Sequence, residues 1–298
     1  MSETVLDTMP ALAGIYAATA GQGVRERASK LAQRSSRRSR QLPATTLRVR
    51  GHRISASSLA AYRELLGDGT PESLPSVLVH IEAFPLAMKL MATPEFPLPL
   101  WGMVHLSNEV IHHHPVPVET PLDMTAAATA LVPHHAGTAV DMVVTVCDTA
   151  TGVLLWEGMS RYLAKGVRLS SERVEREARE DVDPGTMTAQ WRLGAGAGRR
   201  YAAVSGDYNP IHLSGLSAKA LGMRGAIAHG MFLAARMLAH REPVRAGHRW
   251  GIEFQAPVTL PATVSLSYTR TPQRGFRVTG FHARAQRVHF TGWMDPLD

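Results

Sequence analysis

The chain repeats itself. Tyr62, Gly67, Asp68 and Pro71 recur as Tyr201, Gly206, Asp207 and Pro210 at an offset of 139, and Pro117-Val118-Glu119-Thr120-Pro121 returns as Pro257-Val258-Thr259-Leu260-Pro261 at an offset of 140. Two separate matches at nearly one offset constrain the fold more than any single motif does, because both copies must close a core of the same shape. The 298 residues accommodate two units of this size. The spacing predicts repeats over 43–169 and 185–298, joined by a charged linker, 170–184, and preceded by an arm, 1–42.

Each copy runs through a short strand, a short helix with a turn, a longer apolar helix and then several strands. In the second copy Met231, Phe232, Ala235, Leu238 and Ala239 form an apolar stripe over an expected helix from Ala228 to His240. In the first, the expected helix covers Ser76 to Met91, and strands follow near 102–112, 122–131, 139–149 and 152–164. One helix followed by a run of strands indicates an α+β fold with an antiparallel sheet around the helix, occurring twice: a double hotdog.

The formal net charge of +7 is local. Arg25, Arg27, Lys30, Arg34, Arg37, Arg38 and Arg40, opposed only by Glu26, carry nearly all of it, and both repeats are close to neutral. The arm has no interleaved aromatics and no nucleic-acid-reading module, which argues against nucleic acid as a partner. Its Leu12, Ile15 and Tyr16 sit at helical spacing and predict an amphipathic helix over about 9–31. The arm is expected to be solvated and to lie outside both repeats, so removing residues 1–41 is expected to leave turnover of a short substrate unchanged. No apolar run is long enough for a membrane span. The one cysteine, Cys147, excludes an internal disulfide and a Cys-rich metal site. It reads as a buried apolar residue, and the chain as a cytoplasmic protein.

Tyr201-Ala202-Ala203-Val204-Ser205-Gly206-Asp207-Tyr208-Asn209-Pro210-Ile211-His212 is the densest motif. Gly206, Asn209 and Pro210 form turns, so Asp207 and His212 belong to an irregular loop on which a carboxylate and an imidazole can converge on one water. Ala228-His229-Gly230-Met231 then opens the long helix, whose first N–H groups lack intrahelical partners and can stabilise developing negative charge on a ligand oxygen. His229 reads as a helix-start residue packed inward. His112-His113-His114 and His134-His135 lie on strands, where neighbours face opposite ways and no carboxylate is expected to join them; no metal site is expected.

Y-A-x-x-S-G-D-x-N-P-I-H followed by A-H-G-M resembles the motif of the MaoC-like, or hydratase 2, family, and the chain from about Leu42 onward is similar to double-hotdog (3R)-hydroxyacyl-thioester dehydratases. The resemblance implies a hydro-lyase acting on acyl-CoA or acyl carrier protein thioesters, without a cofactor. It assigns Asp207 and His212 as the catalytic pair, Asn209 to positioning the loop and water, and the Gly230 N–H to the oxyanion hole. Some relatives place on the long helix a serine that supports the catalytic aspartate; Leu238 stands there in this chain. In the first copy, Ser73 falls where the histidine would be, so that copy is expected to complete the fold and shape an acyl tunnel. A hotdog thioesterase and a non-catalytic acyl-thioester-binding subunit are the alternatives. Sheet edges allow a homodimer, and an acidic acyl carrier protein would suit the basic arm.

Overall fold

The computed structural model describes residues 2–19, 41–67, 73–172, 174–175, 183–243 and 245–297. Most of the linker, the basic segment 25–40 and Asp68 lie outside these residues. Eleven strands form one sheet in the order β1-β2-β4-β5-β6-β3-β8-β11-β10-β9-β7. In chain order they are β1 (Ser2–Leu6), β2 (Thr45–His52), β3 (Met103–His112), β4 (Leu122–His134), β5 (Gly137–Asp148), β6 (Leu154–Lys165), β7 (Ala189–Leu193), β8 (His248–Phe254), β9 (Ala262–Arg270), β10 (Phe276–His282) and β11 (Arg287–Pro296).

The order displays the duplication. From the outer edge inward the first repeat runs β2-β4-β5-β6-β3 and the second β7-β9-β10-β11-β8, and the two meet where β3 pairs antiparallel with β8. Apart from β1, all pairings are antiparallel. Alternation along β4, with Leu122, Met124, Ala126 and Ala128 buried, turns one face inward. Each repeat wraps a central helix: α2 (Ser76–Met91) in the first and α5 (Gly230–Leu238) in the second. Both are apolar on nearly every side, as a helix enclosed by a sheet must be.

Before each central helix runs a shorter one, α1 (Ala56–Leu66) and α3 (Ala197–Ser205). Buried Tyr62 and Tyr201 occupy equivalent places on them. Both end on a left-handed glycine, Gly67 at φ 67° and Gly206 at φ 70°, a conformation that a side chain would strain. The second repeat then inserts a 3-10 turn (Pro210–His212) and α4 (Gly215–Ala220) before α5.

Several features depart from expectation. Helix α5 ends at Leu238, because Ala239 leaves the helical conformation at φ −48°, ψ 129°, and His240 follows with a positive φ of 61°. The N-terminal arm does not stand apart: β1 extends the sheet by pairing in parallel with β2, and a helical segment at 12–19 buries Leu12 and Ile15 in the common core. The apolar spacing seen in the sequence is therefore satisfied by the body of the protein rather than by a partner. Cys147 is half-buried on β5, not enclosed, and burial still raises its thiol above the ordinary range.

Candidate active site

The motif folds into a loop held by its own hydrogen bonds. Gly206 reverses the chain out of α3, and the Asp207 N–H donates to Ser205 Oγ at 3.2 Å. Asp207 Oδ1 accepts from the Asn209 N–H at 3.2 Å, and Asn209 Oδ1 accepts from the Ile211 N–H at 3.3 Å. These two consecutive Asx turns explain the residue types at 207 and 209. Asn209 caps the 3-10 turn that carries His212 and so shapes the loop, the first half of the role expected of it. Beneath the loop, a Cβ on Gly198 would lie 2.1 Å from the His212 carbonyl oxygen, so α3 packs directly against the backbone it positions.

His212 is buried, and its Nδ1 lies 2.8 Å from the Ile227 carbonyl oxygen. A carbonyl only accepts, so Nδ1 carries the proton and Nε2 presents a lone pair. Burial lowers the His212 pKa, while the Asp207 charge and the Ile227 hydrogen bond act in the other direction. The result is a neutral imidazole, the form a general base needs. A carboxylate oxygen of Asp207 and a ring nitrogen of His212 lie within 4.8 Å, a separation that one water bridges.

His229 packs inward as expected, and it also holds the loop. Its Nε2–H donates to the Asp207 carbonyl at 3.0 Å, and its ring stacks on that of His212 at 3.7 Å between centroids. Burial, then the neighbouring His212, pushes its pKa down to about 3, so it remains a neutral donor. Gly230 begins α5, and its N–H has no partner among the described residues. The space a side chain would need at Gly230 is filled by the Phe254 ring, 2.7 Å from an added Cβ. A side chain at 230 would therefore displace Phe254 or the start of α5. Phe254 in turn packs on His105, which stacks on Tyr162 of the first repeat. Both repeats thus line this end of α5.

Two partners of Asp207 are unannounced by the motif. One is the His229 contact with its backbone. The other is Tyr16 of the N-terminal arm, whose hydroxyl donates to Asp207 Oδ1 at 2.5 Å. Its helical spacing with Leu12 and Ile15 is visible in the sequence, but nothing local points 191 residues ahead.

In the first repeat, Ser73 is not the counterpart of His212. It forms a bridge to Pro117 just ahead of α2, as Ile227 does to Thr259 just ahead of α5. Among the described residues of the first repeat the position of His212 has no equivalent, and eight residues, 68–75, span the interval that 207–229 span in the second. The histidine runs also need correction. A carboxylate does join His112: it lies with His248 and Glu242, their ligand atoms within 4.8 Å of one another. Glu242 Oε2 is taken by the Ser76 N–H at 2.8 Å, at the first residue of α2, and lies 3.3 Å from His248 Nε2. The carboxylate therefore answers a helix N-terminus and a histidine. His134 and His135 belong to no such group among the described residues.

Residues 177–289 match the family described as MaoC like domain. The chain is 32% identical over 231 residues to 3-hydroxyacyl-thioester dehydratase X of Mycobacterium tuberculosis, covering 77% of this chain and 81% of that protein. The crystal structure of that organism's HtdX superposes with a TM-score of 0.72 at 28% identity, covering 85% of this chain and all of the other. A MaoC-like dehydratase from Phytophthora capsici, at 14% identity and a TM-score of 0.61, shares the fold over 87% of this chain. With the duplicated hotdog, the loop carrying Asp207 and His212 and a relative aligned over most of its length, the chain belongs to the MaoC-like dehydratase family.

Proposed function

We propose that the protein catalyses the reversible dehydration of (3R)-3-hydroxyacyl thioesters to trans-2-enoyl thioesters, with Asp207 and His212 as the acid–base pair and the Gly230 N–H as oxyanion donor. The observation that carries this reading is the pairing of Asp207 and His212 within bridging distance of one water, with His212 Nε2 left as the acceptor. The name of the M. tuberculosis relative supports the substrate class.

In the hydration direction His212 Nε2 takes a proton from the water that Asp207 orients, as the water oxygen bonds to C3. The C2=C3 electron pair shifts toward the thioester carbonyl, whose oxygen gathers negative charge beside the Gly230 N–H and the start of α5. The proton held by the pair then passes to C2. Dehydration reverses each step: the pair takes the C2 proton and returns it to the departing C3 hydroxyl, and water leaves. The pair ends each cycle unchanged.

Purified protein mixed with crotonyl-CoA tests this reading. Loss of enoyl-thioester absorbance without release of free thiol is the expected result; thiol release would instead support a thioesterase, and neither change would leave an acyl-binding protein. The carrier is addressed by comparing acyl-CoA with acyl carrier protein thioesters of four to sixteen carbons, where a faster rate on the carrier protein would identify the protein-bound substrate.

A further inference from the structure

Tyr16 reaches the candidate site from outside both repeats. The segment bearing it is fixed at three places: β1 pairs with β2, Leu12 and Ile15 are buried in the common core, and Trp101 clasps its far end. Trp101 Nε1 donates to the Thr19 carbonyl at 2.8 Å, and the Trp101 ring lies 5.7 Å from that of Tyr16. Leu12 packs at the Gly206 turn, where its Cδ1 would lie 3.6 Å from an added Cβ. The segment thus touches the loop at Gly206 and at Asp207, and no other described side chain hydrogen-bonds the Asp207 carboxylate. On α5, Leu238 offers no hydroxyl for that purpose.

The two carboxylate oxygens are consequently unlike. Oδ1 accepts from Tyr16 and from the Asn209 N–H. Oδ2 lies 3.7 Å from His229 Nε2, beyond a direct hydrogen bond, and is the oxygen left for a water. Burial, followed by the Asp207 charge and hydrogen bond, raises the Tyr16 phenol well above its ordinary range, so it remains a donor.

We propose that Tyr16 is a positioning residue of the active site, through which the N-terminal segment fixes the rotamer of Asp207. The inference rests on Asp207 being half of the acid–base pair. A donor on Oδ1 prevents the carboxylate from rotating and stabilises its charge. The arm therefore completes a site whose acid–base pair and oxyanion donor come from the second repeat.

The test is Tyr16→Phe, which keeps the ring against Trp101 and removes only the hydroxyl. The expected outcome is a fall in kcat of about 10- to 100-fold, the usual effect of losing a hydrogen bond to a charged group. KM should stay within about twofold, because nothing assigned to substrate binding is removed. A structural role alone would lower the melting temperature and leave kcat of the folded protein unchanged. Deleting residues 1–19 should reproduce the loss of kcat. An active wild type with an unimpaired Tyr16→Phe overturns the inference alone, and a deletion variant faster than wild type overturns it by showing the segment to be a plug. A wild type without hydratase activity overturns the functional reading as well.

Discussion

In the first repeat, residues 68–75 carry the chain from Gly67 to the start of α2; in the second, residues 207–229 cover the same interval from Gly206 to α5. Around that interval the copies agree: a buried tyrosine on the short helix, a left-handed glycine at its end and a central apolar helix inside five strands. Two residues ahead of each central helix the backbone is tied the same way, Leu74 to Val116 at 2.8 Å and Ala228 to Val258 at 2.9 Å. At the helix starts the copies diverge. The Ser76 N–H is occupied by the Glu242 carboxylate, and Ser76 Oγ accepts from both Trp156 and Trp250, at 2.9 and 2.8 Å. The Gly230 N–H has no such occupant among the described residues. One helix end has been closed by an internal anion and the other remains available to an external one, so scaffold and chemistry are separable in this fold.

The largest effects should follow from removing what only the second repeat possesses. Asp207→Asn and His212→Ala are each expected to lower kcat by about 10²- to 10⁴-fold in the crotonyl-CoA assay. Ser73→Ala, in the first repeat, should leave kcat within about twofold. A comparable loss from Ser73→Ala would show that the first repeat shares in the chemistry and would erase the distinction between the copies.

Next comes Gly230→Ala. The added methyl meets the Phe254 ring at 2.7 Å, so either Phe254 or the start of α5 must shift, and the N–H shifts with the helix. A loss in kcat of about 10²-fold is expected, the usual scale for an oxyanion donor. An unchanged rate would remove Gly230 from the site.

What could be read from the sequence follows what is local. The Asp207 and His212 loop and Gly230 at a helix start rest on spacings within about 25 residues, and the duplication on short local patterns that recur at one offset, so each is visible along the chain. Tyr16 and Glu242 depend on contacts between distant segments, and no local pattern encodes them. The docking of Leu12, Ile15 and Tyr16 of the arm on the body of the protein was not legible for this reason. The apolar residues at 12 and 15 were visible, but the surface that would bury them was not. Ala239 ended α5 through an extended backbone conformation that a good helix former does not signal. Ser73 misled because the offset of 139 was carried through an interval where the copies differ in length.

Smaller effects probe the closed helix end. Glu242→Ala strips the Ser76 N–H and the α2 terminus of their anion and leaves His248 without its carboxylate. A cap of this kind is worth about 1–2 kcal/mol, so the melting temperature should fall by several degrees. Turnover should change by less than about twofold. A protein as stable as wild type would mean that the contact adds nothing to the first repeat.

The smallest expected effect concerns pH. An imidazole with the ordinary pKa of about 6.5 would be only about one quarter neutral at pH 6.0, and a rate that depends on it would fall about fourfold from its plateau. Burial lowers the His212 pKa, so the neutral base persists to lower pH, and kcat/KM should decline less than this between pH 7.5 and 6.0. His80 on α2 and His105 on β3 add no competing step in that range, because burial pushes His80 to about 4 and His105 to about 3. A full fourfold decline centred near pH 6.5 would place His212 in water, contradicting its enclosure beneath His229 and the Ile227 carbonyl.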